Sequence, residues 1–511
     1  LDKPQAPDDT VSLRERVKAP PAPSLVEAYY APAVANGIKF LFTHEMRIHL
    51  AHVLMLADCN IISRAHAGAI LTALLDLQTK GPAALDIDYG QEDLYSYVER
   101  HIVRVLGPDV GGRMHTARSR NDLNVTTWRL ALRERLLSVL GDLGALRRSV
   151  LRLAAEHRGD VMPGYTHTQH AQPISLGYYL LAYADVLARD AQRLQGALTH
   201  CDFSPLGAGA LSTTAFPIDR EGVAAALGFA RVMEVAYDGV SSRDDIHEAV
   251  SAAAILMTGL SRVATDLQTW NTAEFGFIEL ADQFSSVSSI MPQKKNPQAL
   301  EYAKAAAAHV TGALTTVLAC SKNTSFGDVN DGVTAPNVPA LEALERTRHT
   351  LIVLDGVLAT MSVRPEAMRH AAAIGFGTAT ELADVIVRET DLSFRKAHNI
   401  VGRVVRETIE AGRTAMDMTT ADLDHAALAL FGQTLGLSPD VVRVALDPAA
   451  NIAARTVTGG PAPDAVRAMV EARQIGLAQE TAALDAMRRR IGDACASLQS
   501  KARSAAIWAA I

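Results

Sequence analysis

Long windows of strong helix formers, unbroken by interior proline or paired glycine, limit what this chain can fold into more than any other feature. Val125 to Arg158, Ser175 to His200, Ser242 to Thr272 and Asn296 to Cys320 each approach or exceed twenty residues and are dominated by Ala, Leu, Arg and Glu. Aromatic residues make up only 5% of the chain, so a sheet-rich core has little to build on. The windows predict an all-α protein in which long helices pack on helices as a bundle. With 511 residues, the chain exceeds what one hydrophobic core usually serves, so several domains or large lobes are expected.

Composition then excludes several classes. The chain is 49% hydrophobic and 21% charged, enough to bury a large core and unlike a disordered chain. Lys and Arg number 49 against 56 Asp and Glu, a net charge of −7 that disfavours nucleic acid as a partner. Cys59, Cys201, Cys320 and Cys495 are too scattered for a disulfide framework or a CxxC metal knuckle, which points to a reducing cytoplasm. Residues 1–24 are Pro-rich and charged without a signal pattern, and are expected to form a mobile arm. The Ala305–Cys320 run is the nearest thing to a membrane span, but it carries His309 and is shorter than about 20 apolar residues, so no membrane is expected. Gly207-Ala-Gly209-Ala-Leu-Ser212 makes a poor dinucleotide fingerprint because no strand leads into it. His115, His167 and His170 lack the tight local pair that zinc sites use, so no metal is expected.

Between the helical windows lie punctuated segments at 107–121, 160–173, 202–217 and 275–297, where chemistry can sit. One, Gly112 to Asp122, puts Ser119, Arg120 and Asn121 at the start of a long helix, where free N–H groups and a guanidinium fork suit a carboxylate. An ordinary helix cap with solvated arginines explains the same residues. The second, Met162 to Pro173, gathers Thr166, His167 and Gln169, groups that grip carboxylates or pass protons. The third, Ser285 to Pro297, is serine-rich and ends in Lys294, Lys295 and Asn296. It is either a lid over an anion or a surface loop with a basic tip.

Taken together, His115 to Asp122 (HTARSRND), Tyr165 to Gln169 (YTHTQ) and Ser288 to Pro297 (SSIMPQKKNP) resemble the three active-site regions of the aspartase/fumarase superfamily. They are most similar to its argininosuccinate-lyase branch. The similarity runs from about Ala31 to Arg473 and includes Ser241-Ser-Arg-Asp244. The resemblance implies a three-domain fold with a long central bundle, divided here at 25–118, 119–370 and 371–511. It also implies β-elimination of an N-substituted aspartate to fumarate and an amine, without cofactor, in a homotetramer whose sites are shared between subunits. In that reading Ser288 is the base that takes the Cβ proton, and Lys294 supplies the charge that poises it. His167 pairs with Glu301 on the amine side, while Ser119, Arg120, Asn121, Thr166, Gln169, Asn296, Arg243 and Asp328 hold the substrate.

Three departures bear on the substrate. Val287 and Ala117 stand where the family has glycine. In the arginine-binding stretch, Asp328 and Val333 take the places of a tyrosine and a glutamine, although Arg243 and Asp244 are kept. The expectation is therefore a carbon–nitrogen lyase whose amine is not arginine, of the ethylenediamine-disuccinate type. The alternatives are a true argininosuccinate lyase and a catalytically silent, crystallin-like structural protein.

Overall fold

Helix boundaries follow caps more than hydropathy, and the longest of the four expected windows shows why. In the computed structural model, which describes residue 16 and residues 19–510, the window expected from Val125 begins five residues earlier, at Arg120. There Ser119 and Asp122 form a capping box, each side chain bonded to the other's backbone N–H. Most of the 1–24 arm lies outside the described residues.

The helices longer than ten residues are, in chain order, α1 Phe42–Asp58, α2 Arg64–Lys80, α3 Leu94–Leu106, α4 Arg120–Glu156, α5 Leu176–Cys201, α6 Asp244–Trp270, α7 Gln298–Ser321, α8 Asn337–Thr360, α9 Ala379–Glu389, α10 Phe394–Glu410, α11 Thr420–Phe431 and α12 Pro463–Ala506. Helices α4 to α8 pack side by side as the central bundle. Strands are confined to four two-stranded ribbons among the described residues. They pair β1 Val161–Thr166 with β2 Gln169–Ser175, β3 Phe203–Ser204 with β4 Arg231–Val232, β5 Ile278–Glu279 with β8 Ser362–Val363, and β6 Ser286–Val287 with β7 Lys295–Asn296.

One hydrophobic cluster runs through α1 to α8 and α12, and a smaller one is gathered between Leu382 and Leu446. The 44-residue α12 returns from the smaller cluster to lie along α4, α2 and α1. It is tied there by Arg147 to Glu480 and by Arg490 to Asp202, and by an Arg488 N–H donated to the Leu137 carbonyl. Helix α6, and not the Ala305–Cys320 run, is the one long and apolar enough to cross a membrane among the described residues. Its apolar surface is used in packing, since 56% of its most apolar window is buried by the rest of the chain.

Close backbone approach fixes the corner between α4 and α5. A Cβ on Gly177 would meet the Ala154 carbonyl oxygen at 2.3 Å and the Arg158 backbone at 2.7 Å, atoms that cannot swing aside. Gly177→Ala is therefore expected to destabilise the chain by about 3 kcal/mol, measured as a lower urea midpoint at unchanged slope. An unchanged midpoint would mean that the corner yields freely.

Candidate active site

With 37 residues, α4 is about 55 Å long, and the first two loops lie at its opposite ends. Ser119, Arg120 and Asn121 open the helix, while the β1–β2 ribbon follows its last turn. Helix α5 runs back, so that Arg129 near the start of α4 donates to the His200 carbonyl at 2.9 Å. Helix α6 starts at the same end, with Asp245 3.5 Å from Arg129, and finishes with Trp270 against Tyr179 at the other. The third loop thus lies at the histidine end, where Phe275 meets Tyr165. Helix α7 then returns to the arginine end, and Ser321 there bonds His247 at 2.8 Å. Among the described residues, no hydrogen bond or ion pair joins any of the three loops to another.

At the arginine end, Arg120 contacts Glu92 at 2.8 Å and Asp93 at 3.3 Å, both through Nη1. That arrangement keeps the Nε–Nη2 edge for a bidentate carboxylate. Burial pulls the guanidinium down, but Asp93 and Glu92 outweigh it and hold it above its ordinary value. Asn121 donates to the Ala210 carbonyl at 3.3 Å. Beneath them Asp122 is fully buried and accepts from the N–H groups of Gly207, Gly209 and Ser119 at 2.9, 2.9 and 3.1 Å. The Gly-Ala-Gly turn dismissed as a dinucleotide site is therefore an anion cradle for the protein's own carboxylate. Ala117 has φ of 61°, a left-handed conformation that explains why a glycine suits that position and that strains an alanine by about 1 kcal/mol.

Arg243, expected at the substrate, is buried and committed. It donates to the Val333 carbonyl at 3.0 Å and to Asn337 at 2.7 Å, so its place is underneath the 327–334 segment. Asp328 lies above it on the surface. Burial raises the Asp328 carboxyl, and the nearby charges of Arg243 and Arg120 draw it back down. Asp244 accepts from Ser242 at 2.6 Å at the head of α6.

At the histidine end, Thr166 and Gln169 pair across β1 and β2, leaving His167 and Thr168 as a two-residue turn with φ of 51° and 59°. Two positive φ values in succession are those of a type I′ turn, whose twist suits a tight hairpin. All four side chains are exposed. Across β6 and β7, Ser286 pairs with Asn296, and the residues between form a loop that carries Ser288 at its foot. The Ser288 oxygen accepts from the N–H groups of Ile290 and Met291 at 3.3 and 3.0 Å. Two backbone donors on one oxygen stabilise negative charge on it, as a serine base requires. Lys294 is exposed, whereas Lys295 is held by Asp282 at 2.7 Å and Glu279 at 3.2 Å. Asn296 donates to Ser286 at 3.4 Å. Glu301 stands exposed in the first turn of α7 and accepts from Gln268 at 3.5 Å. Val287 and Ile290 are 86% and 83% exposed, an apolar loop tip without cover in the single chain. His115 belongs to the arginine end, far from His167 and His170.

Sequence reasoning missed Glu92, Asp93 and Asp122, the acids that seat loop one. It also missed a buried bed under that loop. His49 and His52 are buried with Arg118, and His52 bonds the Thr116 carbonyl at 2.9 Å. His115 bonds Tyr95 at 2.7 Å. Three histidines on one helix, His44, His49 and His52, spaced five and three residues apart along α1, were the available signal.

A family model described as Lyase matches residues 39–312, and one described as argininosuccinate lyase C-terminal matches residues 376–453. Argininosuccinate lyase 1 of Shouchella clausii is 38% identical over 485 residues, 95% of this chain and 96% of that protein. Argininosuccinate lyase of Methanothermobacter thermautotrophicus is 42% identical over 431 residues, 84% of this chain and 92% of that protein. Among solved structures, EDDS lyase in complex with formate superposes with a TM-score of 0.86 at 32% identity, covering 97% of this chain and 98% of that one. A 3-carboxy-cis,cis-muconate lactonizing enzyme from Pseudomonas putida shares the fold, with a TM-score of 0.68 at 21% identity over 88% of this chain and 99% of that one.

The buried bed makes a prediction about pH. Burial, helped by neighbouring arginines, lowers His44 to about 3 and His115 to about 4, and takes His49 and His52 well below 6.5. An unfolded chain protonates these groups near pH 6.5 while the folded one does not, so stability is lost as pH falls below about 6.5. Burial acts oppositely on two acids, raising Glu45 to about 8 and Asp122 to about 6, but they are two groups against four. Urea midpoints should therefore drop steadily from pH 7 towards about 4.5. A flat profile would show that the imidazoles take up protons in the folded chain.

Proposed function

The chain belongs to the fumarase/aspartase lyase superfamily and carries the argininosuccinate-lyase C-terminal domain, and from that premise we propose that it cleaves an N-substituted aspartate to fumarate and an amine other than arginine. It is a carbon–nitrogen lyase, and the chemistry divides among groups described above. Ser288, its oxygen fed by two N–H donors and its loop carrying Lys294, takes the proton from the carbon next to a carboxylate. The free edge of Arg120, with Ser119 and Asn121, holds a succinyl carboxylate, and Thr166, Gln169 and Asn296 complete the grip. Negative charge then spreads into the carboxylate beside the carbanion, where these donors stabilise it. His167, oriented by Glu301, serves the departing nitrogen.

Such a site requires the arginine end of one chain to meet the histidine end of another, because α4 holds them about 55 Å apart. We therefore assign a homotetramer in which central helices of neighbouring chains run antiparallel. The exposed apolar side chains of Ile255 on α6, Tyr302 and Leu318 on α7 and Ile352 on α8 support that assembly, as large apolar groups on long helices are normally covered. Co-refolding inactive Ser288→Ala with inactive Arg120→Ala should then restore part of the activity, since some mixed sites join an intact arginine end to an intact histidine end. Each variant alone should lose about a thousand-fold in kcat while keeping its helical content. Failure of complementation in confirmed mixed tetramers would place all loops of a site in one chain.

The observation that carries the choice of amine is the Asp328 carboxylate, set within electrostatic reach of Arg120 and Arg243 where the branch has a neutral phenol. A carboxylate there favours an amine with a second cationic group, bound through a charge-assisted hydrogen bond. The similarity to EDDS lyase agrees with that reading, while the argininosuccinate lyases among the relatives favour arginine. Incubation with fumarate and a panel of amines, following loss of fumarate absorbance, decides between them. Asp328→Asn should raise KM for diamines more than for uncharged alkylamines, with little change in kcat. Equal effects on both amine types would remove Asp328 from the amine pocket, and turnover of arginine alone would make the enzyme an argininosuccinate lyase.

A further inference from the structure

Glu301 lies at the junction of three elements, and what surrounds it is arranged in one direction. It occupies the first turn of α7, where the helix dipole favours a carboxylate. One turn further along the same face stands Lys304, and between the two lies Gln268 of α6. Lys304 Nζ donates to Gln268 Oε1, and Gln268 Nε2 reaches Glu301 Oε1 at 3.5 Å. An ammonium only donates and a carboxylate only accepts, so the amide can lie one way alone: oxygen toward Lys304, nitrogen toward Glu301.

The other charged groups nearby have partners elsewhere. On α6, Arg262 and Asp266 face Tyr183 of α5, and Asp266 is bonded by Tyr179. In the β6–β7 ribbon Lys295 is taken by Glu279 and Asp282, while Lys294 points to solvent. Arg346 and His349 of α8 line a cavity of about 720 Å³ beside Tyr302. The Lys304 charge thus reaches Glu301 through Gln268, and among the described residues no competing side-chain bond draws the glutamine aside.

We propose that Gln268 and Lys304 are positioning residues that hold the Glu301 carboxylate aimed, and through it the imidazole that it orients. The inference rests on the lyase reading above, in which Glu301 partners His167. Neither residue touches the reacting atoms. A glutamine that bridges a cation to an anion delivers an oriented dipole without adding charge to a site that must admit a dianion. A glutamate at 268 would add a carboxylate beside Glu301, and an aliphatic residue would leave it with one donor fewer.

The test compares pH–rate profiles for fumarate release from argininosuccinate and from ethylenediamine disuccinate. Weakening the carboxylate weakens the protonated imidazole, so the general acid is lost at lower pH. Gln268→Met and Lys304→Met should move the basic limb of kcat/KM down by about half a pH unit and lower kcat several-fold, with KM nearly unchanged. Lys304→Arg should keep the parent profile. A purely structural role would lower activity at every pH without moving the limb, and that result would overturn the proposal. Because Lys304 is half-exposed on a helix, its methionine variant keeps the test open should Gln268→Met fold poorly. If the parent enzyme releases fumarate from neither compound, the lyase reading fails and this inference with it. A parent that turns over normally with unmoved variants removes the inference alone.

Discussion

The length of α4 is the constraint on which the rest depends. An unbroken helix of 37 residues cannot fold back, so whatever precedes its N-cap and whatever follows its last turn are about 55 Å apart. Each later helix of the bundle then runs the same distance up or down, and the direction of its run decides which end its flanking loop joins. Helix α6 carries the serine loop to the histidine end, and α7 carries Asp328 back to the arginine end. Two chemically different ends result, and under the function proposed above one would supply guanidinium and amide groups for binding carboxylates and the other the serine, imidazole and lysine for moving protons. Neither end alone carries both sets of groups, which is why the assembly and the chemistry are one question in this protein.

A helix that long also needs its N-terminus held firmly, and the bed beneath loop one does this with charge. Asp122 joins the cap to the Gly207–Gly209 turn, and Arg129, Arg243 and Asp245 lie buried together beside it. Further along α4, Arg133 spans Asp202 at the end of α5 and the carbonyls of Leu227 and Gly228. Buried ion pairs of this kind add little net stability because desolvation offsets their attraction. Their effect is geometric, since a buried charge accepts only the one arrangement that pairs it. Register between α4, α5 and α6 is fixed that way, and with it the position of Arg120 relative to Asp328.

Much of this was legible in the sequence. The four helical windows emerge as α4 to α7, and the largest displacement is at Ser119, whose capping box starts α4 five residues early. The three motifs locate the loops because their residue types are unusual for linkers. Other features were hidden for physical reasons. That His167 and Thr168 both take positive φ is dictated by hairpin pairing, since neither residue prefers it. The return of α12 to α1 and α2 depends on contacts more than 300 residues apart, such as Arg147 with Glu480, which periodicity cannot reveal. The Gly-Ala-Gly turn was set aside as a dinucleotide fingerprint, and its use could not be read locally because the anion it holds is the side chain of Asp122, more than 80 residues away. Arg243 was read as a ligand for substrate on family grounds, and only its burial places it beneath the segment that carries Asp328.

The same division explains why a weak base such as serine can serve. In the single chain, the Ser288 loop projects with Val287 and Ile290 bare to solvent, and its oxygen competes with water for every donor except its own two N–H groups. Covering an apolar tip removes that water and strengthens the two N–H contacts and the attraction of Lys294, as all three act in a lower dielectric. Valine before the serine narrows the backbone freedom that glycine would permit, and its bare side chain adds to the exposed apolar surface of the loop. Under the function proposed above, covering that surface over a bound dianion would place the carboxylate held by Arg120 beside the carbon that Ser288 deprotonates. The proton would then leave only when the group that accepts the resulting charge is already in position, so that the two ends act together.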